Sequence, residues 1–116
     1  MGKKYDLEER TAKFSEEVID FVKQIGRNDL TRDIIRQLIR SATSIGANYY
    51  MEANGASSKK DFKNKIHICK KEAMETKYWL RMLARVCPEY KEQCRKVWQE
   101  AQELSMIFGK IAVSSK

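Results

Sequence analysis

Apolar residues recur along this chain at alternating steps of four and three, the spacing that lines one face of an α-helix. The first run is Leu7, Thr11, Phe14, Val18, Phe21 and Ile25, and Gly26 follows it. The second is Ile35, Leu38, Ala42, Ile45 and Tyr49, with Gly55 beyond it. The third is Phe62, Ile66, Cys69, Ala73, Thr76, Leu80 and Leu83, opened by Ser58-Lys59-Lys60-Asp61, which resembles a capping box. The fourth is Tyr90, Cys94, Val97, Ala101, Leu104, Phe108 and Ile111, and Pro88 stands where a first-turn proline belongs. The pattern predicts helices over 7–25, 31–54, 58–86 and 88–113, with Gly26 as the stop of the first. Lys3-Lys4 and Ser114-Ser115-Lys116 read as frayed ends. No Val/Ile/Thr alternation supports a strand.

Connections of roughly three to five residues leave no room for crossovers. The expected fold is therefore all-α, an up-down-up-down antiparallel four-helix bundle filling residues 1–116 as one domain. Gly46 falls inside the second helix, where it costs about 1 kcal/mol relative to Ala, so it is expected at a close helix–helix approach.

Composition narrows the chemistry. The chain has 116 residues, with 42% hydrophobic and 34% charged positions, a globular balance. No long apolar run marks a membrane span or a signal-peptide core, and Asp6 stands where a myristoylation signal has Ser or Thr, so a cytoplasmic protein with no membrane partner is expected. Three cysteines, none in a Cys-x-x-Cys unit, argue against a disulfide framework or a zinc site. Cys69 and Cys94 lie on seams and are expected to be buried thiols, whereas Cys87 sits at a turn and is expected to react. His67 is the one histidine, which leaves Ser or Cys nucleophiles without a base. No enzyme activity, cofactor or metal is expected.

Charge is unevenly placed. The formal net charge is +7, and segment 58–86 carries nine basic and three acidic residues, a net of +6. At about 100° per residue, Lys59, Lys63, Lys70, Lys77 and Arg81 form a stripe beside the core seam, with Lys60, Lys71 and Arg85 further round. His67, Met74 and Tyr78 interleave with them, while Asp61, Glu72 and Glu75 fall on the opposite flank. A basic edge with an available ring suits a phosphate backbone, and a solvated face is the plainer reading of the same residues. The opposite flank also carries Ile68, Trp79 and Met82, which with Trp98 of the fourth helix are candidate subunit-interface residues.

The second helix carries a polar stripe, Gln37, Ser41, Ser44, Asn48 and Glu52, next to its apolar seam. Small hydroxyls and an amide there are expected to bond helices to one another, with Arg40 and Glu75 as the charged members of the network.

The string Arg40-Ser41-Ala42-Thr43-Ser44-Ile45-Gly46-Ala47-Asn48 resembles the signature of bacterial four-helix-bundle proteins encoded by intervening sequences of 23S ribosomal RNA genes. Ser57-Ser58-Lys59-Lys60-Asp61-Phe62 and Lys71-Glu72-Ala73-Met74-Glu75-Thr76-Lys77-Tyr78-Trp79-Leu80 look like further blocks of that family, so the likeness spans nearly the whole chain. Where the family commonly follows the Asn with an aliphatic residue and Glu-Gly, this chain has Tyr49-Tyr50-Met51-Glu52-Ala53. The resemblance implies a ring-like homo-oligomer, a pentamer, with no known enzyme activity. It also implies a fold similar to the accessory variability proteins of diversity-generating retroelements, which bind a reverse transcriptase and nucleic acid. Two functions are therefore expected as alternatives: binding of structured RNA or a DNA backbone through the basic third helix, or docking as an adaptor on an acidic partner such as a reverse transcriptase.

Overall fold

In the computed structural model, which describes residues 6–53 and 55–114, four α-helices carry the chain: α1 (Leu7–Val22), α2 (Asp29–Ala47), α3 (Lys59–Val86) and α4 (Lys91–Ser114). No strand occurs among the described residues. The ends at Lys3-Lys4 and Ser115-Lys116, residue Asn54 and the side chain of Glu52 lie outside what is described. Ser114, expected in a frayed tail, closes α4.

Pairs of contacts fix the direction of every neighbour. Ser15 Oγ lies 3.4 Å from the Ala42 carbonyl, and Gly46 faces Thr11, so α1 and α2 run antiparallel. Ser41 meets Thr76 and Ile45 meets Cys69, which reverses α3 against α2. Lys77 reaches Gln102 and Lys70 passes Gly109, which reverses α4 against α3. Arg10 bonds Glu100, and Tyr90 Oη donates to the Gln24 carbonyl at 3.0 Å, which closes α4 back onto α1. The result is the up-down-up-down bundle, 44 × 25 × 20 Å, with α1 diagonal to α3.

The core is the predicted seams. Phe14, Val18, Leu38, Ile45, Ile66, Leu80, Leu83, Leu104 and Phe108 are fully buried, and each comes from a heptad position of its helix. Burying such a side chain contributes about 1.5–3 kcal/mol, so tertiary packing rather than helix propensity holds these elements.

Helix starts follow the capping chemistry. Glu9 N donates to Asp6 Oδ1 at 3.2 Å to open α1. Asn28 Oδ1 accepts from Leu30 N and Thr31 N, while Asn28 N donates to Thr31 Oγ1 at 2.9 Å, so α2 begins at Asp29 rather than at 31. Ser58 Oγ accepts from Asp61 N at 3.0 Å to open α3. Pro88 begins a short 3-10 turn, Pro88–Tyr90, that feeds α4.

Two helix ends differ from the predicted ones. The first helix stops at Val22, not 25, and no glycine among the described residues has positive φ, so Gly26 is not a left-handed stop. Instead the Arg27 guanidinium donates to the Val22 and Ile25 carbonyls at 3.0 and 2.7 Å, and Thr31 Oγ1 donates to the Gly26 carbonyl at 2.9 Å. Side-chain donors satisfy the carbonyls that a glycine cap would have left to the backbone.

The second helix does not continue as α to 54; it widens into a π-helical turn, Asn48–Ala53. Ile45, Tyr49 and Ala53 are spaced at successive fours, and ordinary winding would carry them round the helix. The wider turn keeps them on the core side: Tyr49 packs at 5.9 Å on Phe108, and Ala53 is buried.

Candidate nucleic-acid interface

The α2–α3 seam sets how α3 presents its outer face. Thr76 and Ser41 are both fully buried and hydrogen-bonded to each other at 2.9 Å. Above them the Arg40 guanidinium bonds Glu75, lies 3.4 Å from Glu72, and donates to Gln37 at 3.0 Å. Glu75 also accepts from Trp79 Nε1 at 2.9 Å. At the far end Asn48 Nδ2 donates to the Ser44 carbonyl and hydroxyl. The predicted polar stripe of Gln37, Arg40, Ser41, Ser44, Asn48 and Glu75 is thus hydrogen-bonded throughout, and four of its six members lie in one α2–α3 network.

The carboxylates are drawn away from the basic side. Arg10 grips Glu100 at 2.7 Å and Glu103 at 2.8 Å across the α1–α4 seam, and the bond to Glu100 raises the Arg10 pKa. Arg40 holds Glu72 and Glu75 across the α2–α3 seam. Arg32 and Arg36 pair with Asp29 and Asp33 within α2. Arginines of α1 and α2 therefore occupy Glu72 and Glu75 of α3 and Glu100 and Glu103 of α4.

On that face the basic residues form no ion pair among the described residues: Lys59, Lys60, Lys63, Lys70, Lys71, Lys77, Arg81 and Arg85. Lys59, Lys60, Lys71, Arg81 and Arg85 are exposed, while Lys63, Lys70 and Lys77 are half-buried. Lys70 lies along Gly109 of α4, and Lys77 bonds Gln102 with its ammonium 5.1 Å from the Trp98 ring centroid. These stems cover apolar surface while the charges stay at the edge. Tyr78 is 53% exposed, edge-on to Trp79 at 5.1 Å, and Met74 and His67 are exposed beside it. Ile68, Trp79, Met82 and Trp98 are half-buried, with Trp79 and Trp98 packed against the core margin.

Cys69 and Cys94 are buried as predicted, and burial pushes their thiols up to about 12 and about 11. Cys87 departs from its expected reactivity: it is 6% exposed, because the Pro88 turn folds it inward, and burial raises its pKa as well.

Two adjoining hollows of about 620 and 220 Å³ open at the α3–α4 turn. Arg81, Ala84 and Lys91 line both; Met82, Arg85 and Pro88 complete the larger, and Leu80, Cys94, Arg95 and Trp98 the smaller. Lys91 and Arg95 do not stand out in the sequence, because their helix balances its charges and only the folded bundle takes up Glu100 and Glu103 on Arg10. A further groove of about 520 Å³ lies between α1 and α2, lined by Asp6, Glu8 and Glu9 over small residues, the wrong sign for a phosphate. Among the described residues no group of three or more His, Cys, Asp or Glu side chains could hold a metal ion, and no helix is long and apolar enough to cross a membrane.

Comparison with known proteins agrees with this architecture. No curated protein matches the chain. A crystal structure of a protein of unknown function from the S23 ribosomal protein family of Bacteroides thetaiotaomicron is similar at 31% sequence identity with a TM-score of 0.80, covering 91% of this chain and 94% of that one. The model of the 23S rRNA-intervening sequence protein family matches residues 3–110. On this span of sequence and this bundle, the chain belongs to the 23S rRNA-intervening sequence protein family.

Proposed function

We propose that this protein is a non-enzymatic nucleic-acid-binding bundle that grips a sugar–phosphate backbone, above all that of structured RNA, along the outer face of α3. The observation that carries the reading is the sorting of charge: Lys59, Lys60, Lys63, Lys70, Lys71, Lys77, Arg81 and Arg85 form no ion pair among the described residues, while Glu72 and Glu75 are held by Arg40 and Glu100 and Glu103 by Arg10. Unpaired cations repeating along a rigid helix match a repeating line of phosphates, and each phosphate neutralised adds about 0.7–0.9 to the log–log salt slope. Tyr78 offers a ring to an unpaired base.

The test is binding of a structured RNA hairpin by fluorescence anisotropy over a salt series. Reversing Lys59, Lys60, Lys63 and Lys71 to Glu removes binding and leaves helicity unchanged, since no described partner is lost. Wild-type affinity in that variant overturns the reading. Recovery of one stoichiometric acidic protein that survives nuclease, such as a reverse transcriptase, would instead establish the adaptor role.

We further propose that the bundle assembles into a closed homo-oligomer, a pentamer, through Ile68, Trp79 and Met82 of α3. These are apolar groups left half-exposed on a helix otherwise rich in charge. A ring repeats the basic face in every subunit and multiplies weak contacts by avidity. A monomer at tens of micromolar in light scattering overturns the assembly.

A further inference from the structure

We infer that the double hollow at the α3–α4 turn is a binding site for the phosphorylated end of a nucleic-acid strand, with the terminal phosphate between Arg81 and Lys91 and the terminal base against Trp98. This deepens the nucleic-acid reading and rests on it for the strand; it shares Arg81 and Arg85 with the α3 face and adds Lys91, Arg95 and Trp98 from α4.

The geometry is specific. Arg81 and Arg85 lie one turn apart on α3, and Lys91 and Arg95 lie one turn apart on α4, so each wall contributes two cations. None of the four forms an ion pair or hydrogen bond with another described residue. Arg81 and Lys91 line both hollows and mark their common centre.

The number of cations selects the ligand. An internal phosphodiester carries one negative charge and is served by one or two cations. A terminal phosphomonoester carries close to two charges at neutral pH and three strong acceptor oxygens, which suits converging guanidinium groups. The smaller hollow supplies what a phosphate alone does not need. Beside Arg81, Lys91 and Arg95 its lining is Leu80, Ala84, Cys94 and Trp98, apolar groups with an indole against which a planar base would lie. Lys77, whose ammonium stands 5.1 Å from the Trp98 ring centroid, does not line this hollow. Charge at one end and an aromatic wall at the other, within two hollows of nucleotide-like size, describe a nucleotide held by its phosphate.

The same chemistry could come from a strand end or from a free mononucleotide. The experiment separates them with internally labelled single strands of one sequence ending in a hydroxyl, a 5′-phosphate or a 3′-phosphate, and with adenosine monophosphate as competitor. One phosphorylated end binds about tenfold tighter than the hydroxyl end, the worth of one or two charge-assisted contacts. Lys91→Glu with Arg95→Glu removes that advantage and leaves the affinity of the hydroxyl-ended strand. Trp98→Leu reduces the advantage several-fold. Equal affinity of all three strands overturns the pocket while leaving the α3 face intact as a backbone track. Conversely, binding of only the phosphorylated strand, lost in the Lys91/Arg95 variant, supports the pocket and removes the track. Adenosine monophosphate that competes as strongly as the phosphorylated strand overturns the strand end and assigns the site to a free nucleotide. No binding of any of the four ligands overturns both readings.

Discussion

Thr76 Oγ1 donates to Ser41 Oγ at 2.9 Å in the dry centre of the α2–α3 seam, where neither residue has any solvent exposure. The relay continues from Ser41 Oγ to the Leu38 carbonyl at 3.3 Å, and Thr76 has the Glu72 carbonyl at 2.8 Å as a second acceptor. That asymmetry makes the pair testable. Thr76→Val keeps shape but leaves the Ser41 oxygen without its donor, at a cost of about 1 kcal/mol. Ser41→Ala costs less, because Thr76 turns to Glu72. The double variant loses less than the two singles combined, by about 0.5 kcal/mol or more. Urea unfolding of the four proteins checks this, and strict additivity would show that the hydroxyls do not act on each other.

Gly46 is placed by its neighbour and not by its backbone. A Cβ there would stand 3.3 Å from Thr11 Oγ1, which itself bonds the Leu7 carbonyl at 2.6 Å and has little freedom to yield. Gly46→Ala is expected near neutral, its gain of about 1 kcal/mol in helix propensity offset by that contact. Gly46→Leu forces α1 and α2 apart and destabilises by about 1–3 kcal/mol. Thermal melts decide it: an unchanged midpoint for the leucine variant would mean that the seam has slack.

All three thiols are expected to resist labelling by a disulfide reagent at pH 8 until the protein unfolds, Cys87 included, since the thiolate is the nucleophile and each is buried. The same shift has a sign in stability. The unfolded thiols lose their protons from about pH 9 upward, while native Cys69 keeps its proton to about 12 and Cys94 to about 11. Stability from these groups is complete below pH 9 and declines as the pH rises through the native values. Cys69→Ala should flatten part of that decline, and an identical alkaline profile in the variant would sink the assignment.

The heptad seams were legible because burial leaves a period in the sequence: Phe14, Leu38, Ile66 and Leu104 can be named as core from spacing alone. The polar network was legible for a related reason, since Ser41 and Ser44 recur beside that seam with Arg40 just before them. What escaped was whatever depends on distance along the chain. Nothing near Arg10 announces Glu100, and the even charge count of α4 conceals that Glu100 and Glu103 pair with Arg10 while Lys91 and Arg95 form no ion pair among the described residues. Local signals also misled where another contact took over their role. Gly26 looked like a helix stop, but the Arg27 side chain made it unnecessary. The second seam ends at Tyr49 in the sequence, and only the Phe108 ring opposite Tyr49 and the burial of Ala53 reward the wider turn beyond it.

The diagonal placement of α1 and α3 gives the molecule a permanent polarity across its short axis. Segment 7–25 carries three basic and five acidic residues, while the helix at the opposite corner carries most of the +7. A polyanion approaching from any side therefore exerts a torque on the bundle as well as a pull, turning α3 toward it before contact. The acids of α1 and the cations of α3 thus orient the protein in solution, and the rate of encounter, more than the lifetime of a complex, is where salt would first be felt.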